Sequence, residues 1–356
     1  MRLNRGAGRV KIGQQGGVAL LPHHTLRFSA PEPEERAVVL LLLALVADTS
    51  LSFKVPLSPA ESLHVVIAGE GDPVVLIPGL FGSAYGFRNL VPLLVQAGHE
   101  TIVIEPLGIG ASSRLERADY SLTAQADRVA AAMDSLGLSH TVVVAHSAGG
   151  SLALRLAYRR PELVRALVSI EGGPTETLTT PEFRRAMRLA PWIKVFGGIK
   201  LIRWKIRGML ISSSGDASWV TDDVVRGYTA DAAKNLDGTL KAYLAMAHVR
   251  EREKLAPHLG EIACDVRLMI GTAQHDGDVG PQEVVLLGRT LHSFAVDTVP
   301  GAGHFLHEEQ PGAVVAAVAR ASAGDPPAPS EVHSERVTGR RAHRRAPGTP
   351  AAPPPP

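Results

Sequence analysis

The chain has 356 residues, with 37 Lys and Arg against 35 Asp and Glu, which gives a formal net charge of +2. This balance argues against a dedicated nucleic-acid-binding protein, which would carry a clear basic excess. A hydrophobic share of 45% is ordinary for a globular protein with a sizeable core and too high for a disordered chain. The single cysteine, Cys264, excludes an internal disulfide framework and a thiolate-rich metal site.

The two ends of the chain differ from its body. Residues 321–356 hold nine of the 26 prolines, and we predict a disordered Pro/Arg-rich tail there. Residues 1–51 form an N-terminal extension that contains the apolar segment 37–47, which is shorter than the roughly 20 residues that span a bilayer. Its length suits a signal peptide, but the acidic flank at 31–36 does not. We therefore favour a cytoplasmic location, with export or membrane association through 37–47 as the alternative.

The body of the chain alternates between two patterns. Short apolar runs predict strands at Leu63–Ala68, Val74–Ile77, Thr101–Ile104, Thr141–Ala145, Ala166–Ile170, Val266–Ile270 and Phe294–Val299. Segments with helical spacing predict helices at Phe87–Ala97, Thr123–Leu136, Ala148–Arg159, Gln282–Arg289 and Pro311–Arg320. Buried strands separated by helices indicate an α/β fold with a mostly parallel, doubly wound sheet. The first two runs are predicted to pair as an antiparallel hairpin at one edge.

One interval interrupts the alternation. Between the strands that end near Ile170 and start near Val266, about 95 residues contain amphipathic segments and no convincing strand. We predict a helical cap over 173–262, inserted into a core made of 52–172 and 263–320. Three tryptophans fall in this interval, and we expect them to be packed inside the cap, with one or two lining an apolar acyl pocket as the alternative. Their concentration in a chain with few aromatic residues favours a hydrophobic substrate. They are Trp192, Trp204 and Trp219.

The strongest chemical signal is Ser147, in the sequence Val142-Val-Val-Ala-His-Ser147-Ala-Gly-Gly150. An apolar strand runs into a serine between small residues and then into a helix, which is the layout of a nucleophile elbow. Ala145 stands where the usual motif has glycine. The turn would raise the Ser147 hydroxyl above the sheet and aim the Ala148 N–H at a developing oxyanion.

Two later loops supply a base and an acid. His304 follows a strand in a glycine-rich loop, where it can reach a nucleophile on a neighbouring strand. Asp276 and Asp278 follow the penultimate strand, and either carboxylate could orient the imidazole; we favour Asp276. His307 is assigned no catalytic role, and His146 is read as a packing or hydrogen-bonding residue.

The order Ser147, Asp276, His304 resembles that of the α/β-hydrolase fold superfamily. Val75–Ser83 resembles the superfamily's oxyanion loop, and Glu105–Ser112 resembles the loop after its fourth strand. The resemblance implies that the Leu80 N–H is the second oxyanion donor. Some members carry their acid one strand earlier, where this chain has Glu171, but we expect Asp276→Asn to lose most turnover and Glu171→Gln to retain it.

A serine nucleophile predicts hydrolysis of a carboxylic ester, thioester or lactone of a fairly hydrophobic small molecule through an acyl-enzyme. The alternatives are the same triad used for C–C bond hydrolysis, acyl transfer or cofactor-free peroxidation, and a non-hydrolytic ligand-binding module. The expected partner is a small acyl substrate, without nucleic acid. No cofactor or metal is expected, because the histidines lack paired ligand spacing. The oligomeric state is left open.

Overall fold

The computed structural model describes residues 50–188, 192 and 197–324, and an eight-stranded sheet forms their centre. The strand order is β1-β2-β4-β3-β5-β6-β7-β8. The strands are β1 (Leu51–Pro56), β2 (Ser62–Ala68), β3 (Asp72–Ile77), β4 (His99–Ile104), β5 (Thr141–His146), β6 (Val164–Ile170), β7 (Asp265–Gly271) and β8 (Phe294–Val299). Strand β2 runs antiparallel to β1 and β4, and all other neighbours are parallel.

The central strands are mostly apolar because helices cover both faces of the sheet. Val74 pairs with Val142 and Ile77 with Ala145, and all four side chains are buried. This register brings the carboxyl ends of β3 and β5 together at one edge. The loops that follow these two strands therefore meet, as expected for a site in an open α/β sheet.

The predicted hairpin between the first two runs is wrong. Strand β2 pairs with β1, which the sequence did not reveal, and with β4, whereas β3 lies between β4 and β5. The turn after β2 packs closely against the backbone at the start of β4. Gly69 and Gly71 have positive φ there, and a Cβ on Gly71 would lie 2.1 Å from the Gly98 carbonyl oxygen. This close approach lets the chain cross to the sheet centre instead of turning back.

Helices cover both faces of the sheet. In chain order the core helices are α1 (Val91–Gln96), α2 (Leu122–Ser135), α3 (Ala148–Arg159), α9 (Pro281–Thr290), α10 (Leu306–Glu309) and α11 (Pro311–Ala323). The side chains of α2 and α3 join one buried apolar cluster, and those of α1 and α11 join another. The doubly wound arrangement agrees with the sequence prediction. Helix α11 extends to Ala323, so three residues assigned to the tail are helical.

Between β6 and β7, the described residues form helices and no strand. They are α4 (Pro181–Met187), α5 (Gly198–Ser212), α6 (Asp222–Tyr228), α7 (Ala230–Lys234) and α8 (Leu236–His248). None of the helices in the described ranges is long and apolar enough to cross a membrane. The apolar segment 37–47 and the tail beyond residue 324 lie outside the described residues.

Candidate active site

Ser147 occupies a sharp turn between β5 and α3. Its backbone has φ +54° and ψ −122°, a conformation that non-glycine residues rarely adopt and that usually reflects a functional constraint. The turn is possible because small residues follow it: a Cβ on Gly149 would lie 2.7 Å from the Ile77 carbonyl oxygen. The N–H of Ala148 opens helix α3, where first-turn amides have no intrahelical partner. The turn therefore places a hydroxyl beside free N–H groups.

Replacing Gly149 with alanine should destabilise the fold. The new methyl group would overlap two backbone oxygens, those of Ile77 and Pro78, at 2.7 and 2.9 Å, and neither can rotate away. We expect the free energy of unfolding in urea to fall by about 1–3 kcal/mol. Gly208→Ala on helix α5, where a Cβ meets nothing within 4 Å, is the matched control and should not destabilise. Equal unfolding midpoints for the two variants would contradict the tight elbow.

The loop after β3 lies directly against Ser147. A Cβ on Gly79 would lie 3.1 Å from the Ser147 Cβ, so the loop that carries Leu80 packs against Ser147. The buried carboxylate of Glu105 fixes this loop by accepting from the Ala84 N–H at 2.7 Å and from the Ala111 N–H at 2.6 Å. The two predicted oxyanion residues, Leu80 and Ala148, are thus on loops that meet at the serine.

His304 lies beside His146, the residue that precedes Ser147. The His146 ring Nε2 donates to the His304 carbonyl at 3.0 Å, and the two ring centroids are 4.8 Å apart. The His304 N–H donates to the carbonyl of Ser213, in the segment after α5, at 2.7 Å. Burial lowers the pKa of His304 well below its usual value, and charge on His146 or His275 would lower it further. A neutral imidazole is the form that can accept a proton.

His307, three residues after His304, is buried and has a structural position. His307 packs its ring 4.4 Å from that of His146, and burial lowers the pKa of His307 to about 3. It is therefore a neutral packing residue near neutral pH. The next residue, Glu308, is also buried; it accepts from Asn89 at 2.9 Å, from the Tyr228 hydroxyl at 2.7 Å and from Arg88. This network links helix α6 to the core, and no pattern in the sequence predicted it.

For the candidate acid, the structure favours a different residue from the one that the sequence favoured. The side chain of Asp276 is exposed, as is that of Asp278, while the backbone N–H of Asp276 donates to Ser212 at 3.2 Å. Glu171, at the end of β6, is only 2% exposed and has a positive φ of 48°. Its Oε1 accepts from the Gly271 N–H at 2.6 Å. Of the three candidate carboxylates, Glu171 is the buried one, and an oxygen of its side chain lies within 4.8 Å of a ring nitrogen of His304.

Three side chains converge at this point. One ligand atom each from Glu171, His275 and His304 lies within 4.8 Å of the other two. Among the described residues, Glu171 Oε2 and His304 Nδ1 are buried without a hydrogen-bond partner. A hydrogen bond between these two atoms would satisfy both, and catalytic hydrogen bonds are often long without substrate and tighten when it is bound. Two imidazoles and a carboxylate are also donor types that zinc accepts.

His275 was not predicted, and it faces the other side of the Glu171 carboxylate. Its Nδ1 donates to the Ala273 carbonyl at 2.8 Å, so Nε2 faces Glu171 Oε1 at 3.6 Å. Burial raises the pKa of Glu171 to about 7, while a charged His275 opposes this rise. The sequence signal for Glu171 is a lone acid that directly follows an apolar strand; His275 has no comparable signal.

Apolar side chains surround the site. The Phe81 ring, next to Leu80, packs edge-on against Phe183 at 5.5 Å and against Tyr243 at 5.6 Å. Trp219 packs against Phe305 at 5.6 Å. The expectation that all three tryptophans are packed is wrong, because Trp192 and Trp204 are 55% and 64% exposed.

Comparison with known proteins agrees with this fold. Residues 72–198 match the family model described as alpha/beta hydrolase fold. Cis-3-alkyl-4-alkyloxetan-2-one decarboxylase of Shewanella oneidensis is 32% identical over 41% of this chain and 46% of its own length. The sn-1-specific diacylglycerol lipase ABHD11 of Mus musculus is 28% identical over 67% of this chain and 76% of its own. The structure of the epoxide hydrolase CorEH superposes with a TM-score of 0.65 at 20% identity, covering 77% of this chain and 99% of that one.

The chain therefore has the α/β-hydrolase fold. Its match spans about half the length of the first of these relatives, and relatives with the fold carry several different activities in their names. The fold therefore does not define the reaction, which has to be argued from the site.

Proposed function

We propose that the protein is a serine hydrolase that cleaves a carboxylic ester, thioester or lactone of a hydrophobic small molecule. The observation that carries the proposal is the left-handed backbone of Ser147 at the β5–α3 junction. Strain at a non-glycine residue between a buried strand and a helix N-terminus is expected for a nucleophile and has no packing advantage. A serine in this position suits acyl transfer.

The proposed reaction has two steps. His304 takes the Ser147 proton as the serine oxygen attacks the substrate carbonyl, and the oxyanion is held by the N–H groups of Leu80 and Ala148. The tetrahedral intermediate collapses, and the alcohol or thiol leaves with the proton that the His304 imidazolium returns, so that the acyl group remains on Ser147. Neutral His304 then takes a proton from water as its oxygen attacks the acyl carbon, and a second collapse releases the carboxylic acid and returns the proton to Ser147. Each oxyanion donor contributes about 3 kcal/mol to lowering the barrier. We assign the acid role to Glu171, whose carboxylate would accept from His304 Nδ1 and stabilise the imidazolium.

Aromatic side chains support an apolar acyl group. Phe81, Phe183 and Tyr243 form a cluster beside Leu80, and the Tyr243 hydroxyl donates to the Leu80 carbonyl at 3.2 Å. Aromatic side chains are the usual lining of sites that bind hydrophobic groups and use few polar contacts for orientation.

Covalent labelling tests the nucleophile. We expect a fluorophosphonate probe to label the wild-type chain at Ser147 and to leave Ser147→Ala unlabelled. Ser135→Ala, which removes a hydroxyl on the exposed face of α2, is the control and should label like the wild type. Failure to label folded wild-type protein would overturn the proposal. Labelling without turnover of short and medium p-nitrophenyl esters would retain the serine and redirect the chemistry to C–C hydrolysis, acyl transfer or peroxidation.

The pH profile distinguishes the two candidate acids. Burial raises the pKa of Glu171 to about 7, and the groups that face it are His275, His304 and Asp278. If ionised Glu171 is required, kcat/KM should fall as the pH drops below about 7. If exposed Asp276 is the acid, the acidic limb should instead follow His304, whose pKa lies well below its usual value. Activity that is constant down to pH values well below 6.5 would contradict the role of Glu171.

A further inference from the structure

Helix α5 has one buried face and one exposed face. Ile206 and Leu210 are buried in an apolar cluster with Phe305, the residue after His304. On the opposite side, Trp204 is 64% exposed and Ile211 is 46% exposed. These two residues are seven positions apart, so they lie on one side of the helix. The exposed indole and the exposed aliphatic side chain, two helical turns apart, give this face apolar groups that a binding partner can cover.

The exposed face is also basic. Lys200 and Lys205 are exposed on it, and the Lys205 ammonium lies 4.9 Å from the ring centroid of Trp204. Helix α5 contains two further bases, Arg203 and Arg207, and no acid; Arg207 is paired with Asp222 of α6. Residues 173–262 hold 14 Lys and Arg against 10 Asp and Glu, whereas the rest of 37–320 holds 12 against 19. The positive charge is therefore concentrated in the insertion that carries α5.

We propose that this surface, made of Lys200, Trp204, Lys205 and Ile211 and called here the docking face, binds the surface of an anionic lipid bilayer. A tryptophan ring suits the boundary between headgroups and acyl chains, and lysines around it can reach lipid phosphates. An amphipathic helix with this pattern lies in the plane of the interface. A protein partner or a second copy fits less well, because the cores of protein interfaces are depleted of lysine.

The C-terminal end of α5 is hydrogen-bonded to two loops of the candidate active site. The carbonyl of Ser213, just past the helix, accepts from the His304 N–H at 2.7 Å, and that of Ser212 accepts from the Asp276 N–H at 3.2 Å. A membrane bound to the docking face would thus lie one helix diameter from the His304 loop. Resting on the function proposed above, this placement points to acyl esters drawn from the membrane as the substrate class.

Vesicle co-sedimentation with the full chain tests the docking face. We expect binding to vesicles of phosphatidylcholine mixed with phosphatidylglycerol, weaker binding to phosphatidylcholine alone, and loss of binding as salt is raised. The double variant Trp204→Ala, Lys205→Glu should bind at least about tenfold more weakly. Phe53→Ala, Lys54→Glu on β1 removes the same kinds of exposed side chain from the core and is the matched control. Ser147→Ala should bind like the wild type, so vesicle binding is scored independently of catalysis.

Three results would overturn the proposal. The first is no vesicle binding by wild-type protein that is folded by circular dichroism. The second is equal binding by the wild type and the α5 double variant, which would assign any affinity to another segment such as 37–47. The third is a wild-type dimer in size-exclusion chromatography that becomes a monomer in the α5 double variant, because this would assign the face to a second copy of the chain.

Discussion

Ser147→Ala is expected to lower kcat for a p-nitrophenyl ester by about 10⁶-fold while leaving KM within a few-fold of the wild type. The hydroxyl forms the bond that is made in the transition state, and the nearest alternative nucleophile is water held only by the remaining groups. His304→Ala should cause a loss of similar size, because the serine is a weak nucleophile without a neighbouring base. The oxyanion donors on Leu80 and Ala148 would remain and account for the residual rate.

The double variant makes this prediction sharper. If Ser147 and His304 act as one unit, Ser147→Ala, His304→Ala should be about as slow as either single variant. Initial rates under identical conditions, with the unfolding midpoint as a check on the fold, are the required measurement. Multiplicative losses, or a Ser147→Ala variant that keeps a tenth of the wild-type rate, would show that the two side chains do not form one catalytic unit.

Glu171→Gln should reduce kcat by about 10⁴-fold, the size of loss seen when a triad carboxylate becomes an amide. The carboxylate is buried and fixed by the Gly271 N–H, and an oxygen of Glu171 lies within 4.8 Å of a ring nitrogen of His304. An amide at this position could donate to the ring and favour the wrong tautomer. Asp276→Asn should change kcat by less than about tenfold, because an exposed carboxylate is screened by water.

The two variants separate the alternatives cleanly. This expectation reverses the order that chain position alone suggested, and a large loss in Asp276→Asn with an active Glu171→Gln would restore Asp276 as the acid. Asp278→Asn should behave like Asp276→Asn, since its side chain is also exposed. Both exposed variants should retain the wild-type unfolding midpoint, so a loss of turnover in them cannot be attributed to unfolding.

The sequence predicted those features of the chain that depend on neighbouring residues alone. The apolar runs at Val74–Ile77 and Thr141–Ala145 lie within central strands, and the serine after the second run occupies the strained turn that its small neighbours predicted. Helix α3 begins at Ala148, as its spacing indicated. These features follow from side-chain periodicity and from the size of adjacent residues, both of which are properties of a short window.

The sequence did not predict which distant segments pair or pack together. The edge hairpin was assigned to the wrong strands because sequence proximity favours a turn, whereas the close approach of Gly71 to Gly98 is visible only in the folded chain. The tryptophans were expected inside the cap, but Trp204 points outward because the faces of α5 are set by its packing on Phe305. Composition could not distinguish a buried indole from an exposed one.

By itself, the sequence determined the class of fold and predicted a nucleophile and a base, because each depends on a short pattern of residue sizes and on the order of strands and loops. Only the tertiary structure showed which candidate acid is buried near His304 and which side of α5 meets solvent. Glu171 and Asp276 both follow strands of the same sheet, and both carry a carboxylate. The difference between them is burial, and burial is decided by segments as distant as Gly271 and His304, which no local pattern contains.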